Sequence, residues 1–153
     1  MVAASDILFN HETNVAPLGL IALSGAEELG QKINAYLVDW AHKGGYDVDT
    51  FLIESECPRF SSGDGKGLIK STVRGRDLFI IVDVGNYHVQ YQMYDQKNAM
   101  SPDDHYQDLK RIIQAVSGKA HRINVIMPIL YGGRQHRRSR RYFCALCYGV
   151  VGN

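Results

Sequence analysis

The 153-residue chain is poor in the features that mark several large protein classes. It has three cysteines, Cys57, Cys144 and Cys147. An odd number does not make a disulfide framework, and a reducing cytoplasm is the setting it implies. No apolar run approaches the roughly 20 residues that cross a bilayer, so no membrane segment is expected. Residues 1–11 have neither a basic n-region nor a long apolar core, and no secretory signal is expected from them. The formal net charge is only +1, which argues against a dedicated nucleic-acid binder. There is no G-x-x-x-x-G-K-[ST] and no G-x-G-x-x-G, so the common nucleotide motifs do not account for the chain. No H-E-x-x-H occurs, and no nucleophile–base pair can be placed. Internal repeats and low-complexity stretches are missing too.

What remains is an ordinary globular composition. Hydrophobic residues make up 45% and charged residues 22%, and the length suffices for one domain with its own core. Residues 1–17 are mixed and polar and are expected to be a mobile lead-in. Residues 18–23 (LGLIAL) suit a short buried strand. Ser24 with Glu27 reads as a capping box opening a helix. Leu29, Ile33, Tyr36, Leu37 and Trp40 follow at helical spacing and are expected to cover the sheet. Gly44 and Gly45 end that helix. Residues 50–53, 68–73 and 77–83 read as extended, and the run LFIIV is apolar on both faces, as a covered central strand should be. Residues 85–100, rich in tyrosine and amides, read as a long loop or insertion. Ser101, Pro102, Asp103 and Asp104 make a strong helix start. Leu109, Ile112, Ile113 and Val116 give its buried stripe, and Gly118 stops it. Residues 122–127 form the next strand, closed by Pro128. Strands and helices alternate, which predicts an α/β fold: three layers with a mainly parallel sheet.

Three segments could carry chemistry. Phe60, Ser62 and Asp64 lie on a glycine-bearing loop, RFSSGDG, where a ring can stack on a base and a carboxylate can accept from an exocyclic amine. The same residue types also make ordinary turns. Residues 129–141 (ILYGGRQHRRSRR) follow a strand end, where open α/β sheets bind ligands. Five arginines in residues 134–141 offer forked donors to phosphate oxygens, Arg137 and Arg138 among them. A solvated basic loop is the plain alternative. A nucleic-acid contact is a further one, though no aromatics interleave with the arginines. Cys144 and Cys147 form a C-x-x-C pair that could hold zinc or do redox work, but with no second such pair two ordinary packed cysteines are the expectation.

Together these segments resemble the ribose-phosphate pyrophosphokinases. That family carries F-S-D-G-E, then V-R-G-x-D before an apolar strand, a helix, and a strand ending in a proline-led loop with R-Q-D-R. The same order runs here through Phe60 to Asp64, Val73 to Asp77, the helix from Ser101, and Pro128 to Arg137. The match covers residues 18–141. The resemblance implies a phosphoribosyltransferase-like (Rossmann-like) domain. It implies transfer of the diphosphoryl group of ATP to the C1 hydroxyl of ribose 5-phosphate, with Mg²⁺, giving 5-phosphoribosyl 1-diphosphate and AMP. It implies a homo-oligomer, dimer or hexamer, whose phenylalanine loop reaches ATP on a neighbouring subunit. By position it makes Phe60, Ser62 and Asp64 adenine-side residues, Arg134 and Gln135 ATP-side residues, and Arg137 and Arg138 possible phosphate contacts. A non-catalytic nucleotide-binding or assembly subunit of the same family is the alternative.

The departures are specific. Ser62 stands where the family has Asp, Asp64 where it has Glu, and His136 where it has Asp. Residues 85–100 are longer than the usual connection. The family continues with a metal-binding histidine, a basic catalytic loop and a V-V-x-P-D-x-G-G ribose-phosphate cradle, none of which has a counterpart here. Residues 142–153 (YFCALCYGVVGN) form an atypical apolar tail. The expectation is a truncated or frame-shifted nucleotide-side half, inactive alone and prone to self-association through the face its missing domain would cover.

Overall fold

The structure, a computed structural model, describes residues 16–133. In chain order the elements are β1 (Leu18–Ala22), α1 (Glu27–Lys43), β2 (Ser55–Glu56), β3 (Leu68–Ile69), β4 (Asp77–Ile81), β5 (Gln90–Met93), β6 (Gln96–Ala99), α2 (Pro102–Val116) and β7 (Arg122–Ile126). The three five-residue strands form one parallel sheet in the order β1-β4-β7, with Leu20 opposite Phe79 and Ile80 opposite Val125. These are the three neighbouring parallel strands that the short apolar runs predict.

Side chains alternate across the sheet and divide the core in two. Ile21, Leu78 and Ile80 pack with Leu109, Ile112 and Val116 of α2. Leu20, Phe79 and Ile81 pack on the other face with Ile33, Leu37, Val38 and Ala41 of α1. The domain is therefore three-layered, helix on sheet on helix, as expected for strands that read apolar on both faces.

The V-R-G-x-D segment is a clasp at the amino-terminal edge of this sheet. Arg76 donates to the Leu18 carbonyl (2.9 Å), and the Asp77 carboxylate accepts from Arg122 (2.9 Å to Nε) and from Asn124 (2.8 Å). One short polar stretch thus ties β1, β4 and β7 together.

Several local expectations change. Residues 23–26 form a turn, with the Ala26 amide bonded to the Leu23 carbonyl, so α1 begins two residues later than Ser24 suggests. Its N-cap is Ala26, without a side-chain cap, and Glu27 accepts instead from the Gly25 amide. The helix does end at Gly44–Gly45, the latter at φ 81°. Of its apolar residues, Ile33 and Leu37 reach the sheet, whereas Leu29, Tyr36 and Trp40 face outward. Residues 50–53 make only a single parallel bridge, Leu20 to Leu52, on the far side of β1. The stretch 68–73 contributes only the two residues of β3, paired antiparallel with β2. Residues 85–100 hold a two-stranded hairpin rather than a loop: β5 and β6 pair antiparallel around Tyr94 and Asp95, with Tyr94 at φ 53°. The α2 start is as predicted, with a reciprocal Ser101–Asp104 capping box and Pro102 in the first turn. Among the described residues no helix is long and apolar enough to cross a membrane.

Candidate functional site

Phe60, Ser62 and Asp64 sit together on one tight turn. The Phe60 amide donates to the Asp64 carbonyl (2.7 Å), the Gly63 amide to the Phe60 carbonyl (2.9 Å), and Arg59 bridges Gly65. Gly63 takes φ 91°, a conformation that few side chains tolerate. The Ser62 hydroxyl donates to Asp64 Oδ2 (2.8 Å), so a neutral donor supports the remaining carboxylate. Phe60 is 56% exposed and belongs to neither core cluster.

What holds this exposed turn is a buried ion pair beneath it. Arg59 donates to both carboxylate oxygens of Asp108 on α2 (2.7 and 3.2 Å), and Arg111 adds a third bond (2.6 Å). The Arg59 and Asp108 side chains are only 4% and 6% exposed, and Asp104 lies 4.0 Å from the same guanidinium. Arg59 also lies over the Tyr91 ring of β5, 5.1 Å from its centroid. The loop approaches α2 so closely that a Cβ on Gly67 would lie 2.6 Å from the Arg111 carbonyl oxygen. Sequence reasoning singles out the loop but misses Asp104, Asp108, Arg111 and Tyr91. One signal was available: His105, Leu109, Ile112 and Val116 share a helical stripe, and His105 is buried with it. Its Nε2 bonds the Asn86 carbonyl (2.8 Å). A polar residue on that stripe marks where α2 turns toward the loops.

The second segment begins beyond β7. Tyr131 stacks on Tyr106 of α2, with ring centroids 4.3 Å apart and planes 7° from parallel, and its hydroxyl donates to Asp103. That bond to a carboxylate, first among the causes, raises the Tyr131 pKa. The start of the glycine–arginine loop is thereby fixed to α2. Arg134, Gln135, Arg137 and Arg138 themselves lie outside the described residues, as do Cys144 and Cys147.

The family profile for the N-terminal domain of ribose phosphate pyrophosphokinase matches residues 18–145. The chain belongs to that family. Among solved structures this chain is similar to phosphoribosylpyrophosphate synthetase from Mycobacterium smegmatis, with a TM-score of 0.54 and 18% identity over 84% of this chain. At that identity the likeness speaks for the fold, which is the phosphoribosyltransferase-like α/β domain expected. The chain spans 35% of the synthetase's length. No curated protein sequence matches it. Among the described residues, no group of three or more His, Cys, Asp or Glu side chains is placed to hold a metal ion.

Proposed function

We propose that this chain supplies the nucleotide side of a ribose-phosphate pyrophosphokinase active site. The complete enzyme would move the diphosphoryl group of ATP to the C1 hydroxyl of ribose 5-phosphate. Phe60 stacks on adenine, and Ser62 and Asp64 hydrogen-bond its edge. Arg134 and Gln135 contact ATP, with Arg137 and Arg138 as further phosphate donors. The observation that supports this most is that one helix carries both segments: α2 anchors the Phe60 turn through Asp108 and the entry to the arginine loop through Tyr106. Such chemistry is mostly positioning and charge neutralisation, which needs loops fixed to a rigid element. Magnesium belongs to this reading as a companion of the ATP phosphates. The described residues do not fit a cage for it, so no step of this chain is routed through it.

Calorimetry with ATP and with tripolyphosphate tests the assignment. The 153-residue chain should bind ATP weakly and in a salt-sensitive way, without turnover of ribose 5-phosphate. Phe60→Ala should cost ATP the worth of a base stack, about 1–3 kcal/mol, and leave tripolyphosphate unchanged. Replacing Arg134 and Gln135 by alanine should remove both. Equal losses of the two ligands on Phe60→Ala would refute the adenine role, and turnover by the chain alone would refute the division into halves.

A further inference from the structure

The helix α1 carries more apolar surface than its packing on the sheet uses. Gly30 and Ala41 are buried and Ile33, Leu37 and Val38 pack half-buried on the core, while Leu29, Tyr36 and Trp40 are 40%, 65% and 36% exposed. With half-buried Ile33 they fall at positions 29, 33, 36 and 40, alternating steps of four and three residues. That is the spacing of a two-helix seam, with Ile33 at its inner margin where it also touches the core. Among the described residues nothing covers it.

A row of charges borders the seam: Glu28, Lys32, Asp39 and Lys43, joined within the helix as Lys32–Glu28 and Lys43–Asp39 pairs, both 2.6 Å. The order is minus, plus, minus, plus. Reversed end to end, it reads plus, minus, plus, minus. Laid antiparallel on a copy of itself, Glu28 meets Lys43 of the partner subunit and Lys32 meets Asp39 of the partner subunit. In the same arrangement Leu29 meets Trp40 of the partner subunit and Ile33 meets Tyr36 of the partner subunit. The charged and apolar pairings are centred one residue apart, and the facing charges are displaced by about 3 Å along the axis, within reach of lysine side chains. Laid parallel about a two-fold axis, the two rows would fall on opposite flanks of the pair and no charge would meet its complement. We infer that α1 is a two-fold contact between two copies of this chain, packed antiparallel, with the apolar stripe as its centre and the charge row as its register. This inference is independent of the nucleotide reading.

The charge row supplies its own test. The double variant Glu28→Lys/Lys32→Glu keeps its ion pair within the helix but sets like charges against the partner at every contact. Asp39→Lys/Lys43→Asp does the same from the other half. Sedimentation equilibrium should show the unaltered chain as a dimer. Each double variant should dimerise at least about tenfold more weakly, and an equimolar mixture of the two should recover the dimer, since every facing pair is then opposite in sign. Trp40 is the only tryptophan, and its emission should move to the blue with dimerisation and follow the same pattern. If a double variant loses helicity, Tyr36→Arg at its outward position reads the same contact, and it should favour the monomer. The inference is overturned if the unaltered chain is monomeric at high concentration, whether Trp40 is exposed or covered by another segment. It is equally overturned if the variants dimerise like the parent, or if the mixture fails to recover.

Discussion

At the residue scale, Asp108 decides whether the Phe60 turn has a fixed position. A buried carboxylate holding two arginines is tolerated because the geometry is bidentate and both partners are in place. Asp108→Ala would leave the buried Arg59 with only the longer contact to Asp104 and should cost about 3–5 kcal/mol. Arg59→Ala should cost less, because Arg111 still partners Asp108. In urea titrations the double variant should lose clearly less than the sum of the two single ones. A sum that is additive would mean the pair does not act as a unit. Cys57 sits beside this cluster. Burial first, and the Asp108 carboxylate second, push its thiol up to about 12, against a smaller opposing pull from Arg59 and Arg111. At neutral pH it is a thiol, not a thiolate, and thiolates are what react. In a Cys144→Ser/Cys147→Ser background, alkylation at pH 8 should therefore be slow in the folded chain and fast in denaturant. Rapid labelling of the native protein would contradict this.

At the element scale, α2 and the β5–β6 hairpin together make the seat for the site loop. Tyr91 and Met93 share one face of β5; Tyr91 lies under Arg59, and a Cβ on Gly63 would sit 3.2 Å from Met93 Sδ. This hairpin is hard to see in the sequence because its turn, Tyr94–Asp95, lacks the Asn-Gly or Asp-Gly signal that marks two-residue connections. Only the alternation of Val89, Tyr91 and Met93 with Gln90 and Gln92 hints at a strand. The α2 start is legible because its cap is local: Ser101 and Asp104 bond each other's backbone amides whatever surrounds them. The α1 start is misread for the complementary reason. A serine three residues before a glutamate is only a potential cap, and the turn at Leu23–Ala26 displaced it. Gly67→Ala tests the seat directly. Its Cβ would collide with the α2 backbone at Arg111, which cannot swing aside as a side chain can. Thermal unfolding should show a loss of about 1–3 kcal/mol, and ATP affinity should fall with it. Gly45→Ala, where a Cβ meets nothing within 4 Å, should cost only its left-handed backbone conformation and leave ATP affinity intact.

At the scale of the whole molecule, the amino-terminal clasp makes stability depend on acid. Hydrogen bonding from Arg122 holds the Asp77 carboxyl below its ordinary range, with Asn124 adding to it against a burial effect in the other direction. For Asp104, burial is the largest single effect and would raise the value, but the Ser101 amide and hydroxyl, joined by the charge of Arg59 and by His105, bring the net shift downward. A carboxyl depressed in the folded state contributes stability that is complete above the unfolded value. That contribution is lost as pH falls through the folded value. The urea midpoint should therefore be flat above pH about 5 and fall below about 4. Because Arg122 is half-exposed, salt should weaken the part owed to Asp77. Asp77→Asn should flatten the acid limb, and an unchanged pH profile in that variant would remove the clasp from the account of stability.

The sequence alone determined the three parallel strands, the two helices, their alternation and the order of the family's motifs. These rest on hydrophobic period, local capping and residue identity, all carried by near neighbours in the chain. Tertiary structure decided which side chains became the support of the site. Arg59 and Asp108 are 49 residues apart, and Tyr106 and Tyr131 are 25 apart. No local pattern pairs them, because their partnership exists only once α2 has packed on the sheet. The outward face of α1 was settled the same way. Its spacing is right for covering a sheet, and Ile33 and Leu37 do so, but the buried positions go to Gly30 and Ala41 and the helix is turned so that Leu29, Tyr36 and Trp40 stay outside.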